Sequence, residues 1–250
     1  MIMTRKQRIL FLFLTLFLLL SLSSTAWAKT VLVSSPHYSN YGIGDSGWSN
    51  FTTALNSATG NSVSFTSDFG NLSEMLLYDA IFLQARETNS TLSIAERNNI
   101  TAFAATGKKV LMIGENDNWL NWNQQITAIG GGSYNYMGYY LYETAAKVVD
   151  NALTAGADNV YLPAAGVAIG GTSLYNYNFA TLWGSNQNIL TILDVNLESN
   201  QYWSSDSNAA FTTNVAYWLA DSKPVPIPPA FLLLGSGLVG LLGLRRKFGK

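Results

Sequence analysis

The 250 residues contain no cysteine and one histidine, His37. Without cysteine there can be no disulfide framework and no thiol nucleophile. With one histidine, a serine nucleophile has a single imidazole base to draw on. Charge is also scarce: Lys, Arg, Asp and Glu together make up 12% of the chain. The scarcity is uneven. Seven of the 14 basic residues lie within residues 1–28 and 225–250, and none of the 15 acids does. The intervening body therefore carries a net charge of about −8, where the whole chain carries −1. An acidic body argues against nucleic acid and against direct binding to anionic lipid. No P-loop signature occurs, and no acid spacing matches an EF-hand loop. A body of this length buries a sizeable single core without staples.

What is present begins with two apolar runs. Near the N-terminus, Arg5, Lys6 and Arg8 precede an apolar stretch over residues 9–22, followed by Ala26-Trp27-Ala28. A positive segment, an apolar segment and small residues at the two positions a signal peptidase reads predict a signal peptide over 1–28, cleaved after Ala28. At the other end, residues 230–244 are apolar and bounded by Arg245, Arg246, Lys247 and Lys250. As a helix they would span about 22 Å, short of the roughly 30 Å hydrocarbon core of a bilayer. The basic block and the glycines still favour a transmembrane helix with its tail on the cytoplasmic side. No polar face exists for a helix lying on a soluble core. Prolines keep the linker, 221–229, extended.

The order Val225-Pro226-Ile227-Pro228, glycine-bearing apolar run, Arg245-Arg246 resembles the PEP-CTERM sorting signal of Gram-negative bacteria. The usual motif is Val-Pro-Glu-Pro, and Ile227 stands in place of the acid. The resemblance covers residues 225–250. It implies processing by an exosortase after export by signal peptidase, and hosts that make exopolysaccharide. It implies traffic to the cell surface or extracellular matrix, not a molecular activity.

Within residues 29–220 the hydrophobic pattern predicts strands at 31–35, 62–66, 78–84, 109–114 and 190–195. It predicts helices at 48–58, 93–106, 123–129, 144–153 and 209–219. Residues 93–106 carry the capping-box spacing, Ser93 to Glu96, and stop at Gly107, with Ile94, Ile100, Phe103 and Ala104 on the expected buried side. Residues 130–138 read as loop, and Gly130–Gly132 and Gly170–Gly171 as flexible points. Alternating strands and helices predict one α/β domain, a mainly parallel sheet between helices. The stretches 92–97, 105–115, 153–160 and 194–199, with Asn208-Ala-Ala-Phe211, resemble the glutamine-amidotransferase-like (flavodoxin-like) fold, including its non-enzymatic members. In the enzymes of that family a cysteine on a sharp turn after a central strand works with a histidine. Here that turn reads Gly114-Glu115-Asn116-Asp117, so the family mechanism is absent.

Two candidate sites remain, neither calling for a cofactor or metal. Ligands of open parallel sheets bind past the C-terminal strand ends. His37, Tyr38, Asp45, Arg86, Glu87, Glu115, Asn116 and Asp117 all follow such ends; they either line a crevice or cap the elements beside them. The second candidate is aromatic: Trp119, Trp122, Tyr134 and Tyr136 interleave with amides, a composition that stacks on sugar faces if exposed and is core if buried. The expected role is a non-enzymatic binding or structural one linked to extracellular polysaccharide. The alternative is a carbohydrate-active or other hydrolase using two acids about 5 to 9 Å apart in an open cleft.

Overall fold

The computed structural model describes residues 29–221. The signal peptide, the Val225-Pro226-Ile227-Pro228 motif and the transmembrane helix expected at 230–244 lie outside the described residues. Among the described residues no helix is long and apolar enough to cross a membrane.

The strands are β1 (Val31–Ser34), β2 (Val63–Thr66), β3 (Ala80–Leu83), β4 (Lys109–Ile113), β5 (Ser133–Asn135), β6 (Leu141–Ala146), β7 (Asn159–Ala165), β8 (Val167–Ile169), β9 (Thr172–Ser173), β10 (Ala180–Trp183) and β11 (Ile189–Ile192). The helices are α1 (Ser49–Thr59), α2 (Leu72–Met75), α3 (Ile94–Ala105), α4 (Leu120–Gly130) and α5 (Asn208–Leu219), with 3-10 turns leading into α1 and α4. The main sheet has seven strands in the order β2-β1-β3-β4-β11-β10-β9. Neighbours from β2 to β11 run parallel, and β10 adds antiparallel at the far side. The expectation of a mainly parallel α/β sheet is met. β4 is the middle strand, and β1 lies one strand in from the edge.

The strands read as unbroken apolar runs because both faces are covered. Val31, Val33, Phe82, Leu111 and Ile113 face a layer that holds Phe51 and Leu55 of α1 and Phe211, Val215 and Leu219 of α5. Leu32, Ile81, Leu83, Val110 and Met112 face the opposite layer, with Ile100 and Phe103 of α3 and Trp122 and Ile126 of α4. The capping box of α3 forms: Ser93 Oγ accepts from the Glu96 amide at 3.1 Å, and Glu96 Oε2 accepts from the Ser93 amide at 2.8 Å.

Four local expectations are corrected. Ile94 points outward and is 70% exposed, because it stands about two and a half turns from Phe103 and so on the opposite face of α3. Residues 144–153 form no helix: 144–146 end β6, which pairs antiparallel with β7. Ser133–Asn135 is not loop but β5, paired with β8. The glycines at 130, 132 and 171 are close-packing positions, not flexible ones. A Cβ on any of them would fall within 2.3–2.7 Å of the Trp183 ring, so a side chain there would displace the indole.

Candidate functional site

The strand order 2-1-3-4-11 reverses direction between β1 and β3, the place where open α/β sheets of this order bind ligands. Here that place is filled. Gln84, fully buried just past β3, donates from Nε2 to the Ser34 carbonyl and accepts the Ile43 amide on Oε1. Its own amide donates to Ser34 Oγ at 3.0 Å. Ser34 is thereby committed to structure and is no nucleophile.

The eight strand-end candidates sit at this end of the sheet but fall into separate groups. His37 Nδ1 lies 2.8 Å from the Ser35 carbonyl oxygen, and Nε2 lies 2.9 Å from Asp45 Oδ2 at an ion-pair distance. Tyr38 packs edge-on against Trp119, ring centroids 4.9 Å apart. Arg86 is nearly buried, pairs with Glu96 at 2.9 Å and covers the Trp122 ring at 5.5 Å. Although burial pushes the Glu96 carboxyl up, bonds from Ser93 and Arg86 outweigh it and hold it below the usual range. Glu87 is exposed. Asp117 accepts from the Tyr134 hydroxyl at 2.5 Å and from the Met137 amide at 3.0 Å; burial first, then that bond, pushes the Tyr134 phenol far up. No group of acids and histidines among the described residues converges as a metal site.

Glu115 and Asn116 alone join a larger cluster. Glu115 Oε2 accepts the Val195 amide at 2.7 Å, and Oε1 accepts Asn116 Nδ2 at 2.8 Å. Asp194, directly past β11, accepts from the Ala164 amide at 3.2 Å and the Asn196 amide at 3.1 Å. Glu198 is fully buried, and among the described residues no other residue donates a hydrogen bond to either carboxyl oxygen; the one donor near it is its own backbone amide. Burial is the main cause that raises all three carboxyls, pushing Asp194 up to about 7 and the other two well above the normal range. These acids are sealed in protein, with Glu115 only 2% exposed, and form no open two-carboxylate cleft of the glycosidase kind. Asp194 and Glu198 were absent from the candidates. Asp194 lay inside the strand expected at 190–195; the strand ends at Ile192, and only that earlier end brings Asp194 under the rule that selected Glu115.

Three of the four aromatic candidates are core. Trp122 is fully buried and donates to the Ile113 carbonyl at 2.8 Å; Trp119 donates to that of Arg86 at 2.8 Å; Tyr134 is 7% exposed. Tyr136 alone is open to solvent. Further exposed rings are Tyr139, Tyr140 and Tyr142, before and on β6, with half-buried Tyr161 on β7 and Tyr202 near Tyr142.

A cleft of about 430 Å³ opens between the loops that follow β1 and β11, lined by Ser39, Asn40, Tyr41, Ser46, Gly47, Ser199, Asn200 and Gln201. Its floor is held by Asn200, which donates to the Ser46 carbonyl at 2.7 Å and to Ser49 Oγ at 2.8 Å and accepts the Asn50 amide at 3.1 Å. The loop carries a glycine spacing that sequence reasoning passed over, Gly42-Ile-Gly44-Asp-Ser-Gly47, the order of a dinucleotide fingerprint. The geometry gives it another use. A Cβ on Gly42 would sit 2.5 Å from the His37 ring, and one on Gly47 would sit 2.6 Å from the Asn40 carbonyl oxygen. The glycines let the loop fold on itself, and no cation lines the cleft to receive a phosphate.

No family model and no curated protein matches the chain. Solved structures do. The mmIFT52 N-terminal domain aligns at a TM-score of 0.56 and 12% identity, over 76% of this chain and 97% of that one. A protein described as a GMP synthase component from Thermoplasma acidophilum aligns at 0.50 and 10% identity, over 75% and 94%. A ThuA-like protein of Bacteroides uniformis aligns at 0.48 and 13%, over 80% and 95%. At such identities the likeness is one of fold, and the first two neighbours support an α/β, flavodoxin-like architecture.

Proposed function

We propose that this protein is exported and sorted to the cell surface or extracellular matrix. There it serves as a non-enzymatic binding component associated with exopolysaccharide. Signal peptidase acts at Ala26 and Ala28, and an exosortase acts on the PEP-CTERM-like segment 225–250. The observation that carries the reading is the position of the two domain ends. The Thr30 amide donates to Asp79 at 2.9 Å, and Lys109 pairs with Asp221 at 2.8 Å, so both ends lie where β1, β3 and β4 begin. The cleft lies past the opposite ends of these strands. A tether at either terminus therefore leaves the cleft pointing away from the membrane. A non-enzymatic role is supported by the turn after β4, where Gly114 and buried Glu115 stand in place of the family's nucleophile, and by a lone histidine engaged with Ser35 and Asp45.

The test is to express the full chain in a host with an exosortase. Expected are an N-terminus at Lys29 and protease-accessible protein at the surface, both lost when Ala28 is replaced by a bulky residue. Protein that keeps Met1 and is protected from external protease overturns the reading.

A further inference from the structure

We infer that the cleft and the tyrosines beside it form one binding surface for a neutral polysaccharide chain. This rests on the polysaccharide-linked reading above and names the site and ligand class. The cleft falls in the range of small-ligand sites, and its lining is wholly uncharged. Asn40, Tyr41 and Gln201 present side chains that make no hydrogen bond among the described residues. Two amides and a phenol, each both donor and acceptor, match the paired donor and acceptor character of sugar hydroxyls. Nothing there neutralises an anion.

The tyrosines continue the surface beyond the cleft. Tyr41 stacks on Tyr38 with ring planes 9° apart. Tyr202 follows Gln201 directly and lies 6.0 Å from the Tyr161 ring. Tyr140 and Tyr142 are 5.3 Å apart and are 40% and 58% exposed. Tyr202 stands near both groups: it helps hold the Tyr41 phenol neutral, after burial, Glu115 and Tyr38, and the Tyr142 phenol neutral, after burial and Tyr140. The strip is preorganised. Asn208, fully buried at the start of α5, accepts the Tyr161 amide at 2.9 Å and donates to the carbonyls of Tyr161 at 3.0 Å and Tyr202 at 3.2 Å. A single sugar needs only the cleft; a row of rings leading away from it suits an extended chain, each ring offering flat apolar area to a pyranose face. Exposed Glu143 and Asp206 border the strip and disfavour a polyanion.

The test is affinity electrophoresis of the full chain, in mild detergent, through native gels holding hydroxyethyl cellulose, galactomannan or alginate. The wild type is expected to be retarded by at least one neutral polymer and not preferentially by alginate. Tyr140→Ala/Tyr142→Ala, which removes two exposed rings without opening the core, should weaken that retardation about tenfold, equivalent to about 1.4 kcal/mol. Gln201→Ala should weaken it as well, and Tyr136→Ala, off the strip, should not. If the wild type is retarded but both site variants match it, the surface is wrong while the polysaccharide-linked role stands. If only alginate retards it, the ligand class is wrong. If no polymer retards it, both this inference and the binding role fail.

Discussion

Raising the pH from about 5 to about 8 should destabilise this domain, contrary to the behaviour of proteins whose carboxylates are paired. The reason lies in Glu115, Asp194 and Glu198, three carboxyls sealed together behind the ends of β4 and β11. Their folded-state pKa values are raised, so the folded state keeps protons that the unfolded chain releases. The stabilisation is fully present below the unfolded values and is lost as pH rises through the folded ones. For Asp194 that window runs from 3.8 to about 7. Each such group contributes a slope of up to about 1.4 kcal/mol per pH unit, so between pH 5 and its folded value Asp194 by itself loses at most about 3 kcal/mol. Deprotonating one acid disfavours the next, so the three effects do not simply add. For a domain of this size the bound corresponds to a melting shift on the order of 10 °C. Glu96 and Asp79, held low, act in the opposite sense, but only as pH falls below their unfolded values of 4.5 and 3.8, outside the assayed range. The assay is a series of thermal melts across pH on wild type and Glu198→Gln. Glu198 is the informative position because no other residue donates to its carboxyl, so the amide loses no tertiary bond. The variant should match wild type near pH 5, exceed it near pH 8 and show a shallower slope. Wild-type stability that is flat or rises over this range, or a variant as steep as wild type, would refute the reasoning.

Other substitutions test the packing. Gly114→Ala should cost about 1–3 kcal/mol in denaturant unfolding, because its Cβ would lie 2.4 Å from Asn123 Oδ1, 2.8 Å from Leu193 and 2.9 Å from Ile126. Ser93→Ala should cost about 1 kcal/mol by loss of the α3 cap; an unchanged midpoint would show that Glu96 and Arg86 hold that helix start alone. Trp122→Ala should cost about 3–5 kcal/mol and unfold more readily than any surface tyrosine variant, since the indole fills the layer between α4 and the sheet.

The parallel core was legible because β1, β3 and β4 are apolar on successive residues, a pattern that only two-sided cover explains. The α3 boundaries were legible because a capping box is a local signal: Ser93, Glu96 and Gly107 act within a few residues of one another. Residues 144–153 were misread because Ala145, Ala146, Lys147, Ala152 and Leu153 favour a helix locally, while pairing of 141–146 with β7 overrides that preference. The site was harder. Trp119 and Trp122 have the composition of a sugar-binding surface, and only the sheet above them shows that they are core. The tyrosine strip depends on Asn208 reaching back 47 residues to Tyr161, and the cleft on Asn200 reaching 154 residues to Ser46. No window of sequence contains either contact. The fingerprint-like glycines of 42–47 show the converse, a local motif whose tertiary setting gives it another use.

The central claim is that this protein binds polysaccharide and leaves it intact. The direct measurement is size-exclusion chromatography with light scattering of the full chain incubated with the exopolysaccharide of its own host. The account predicts that protein co-elutes with the polymer and that the polymer's molar mass does not change with time. Protein eluting apart from the polymer, or a falling molar mass, would contradict it.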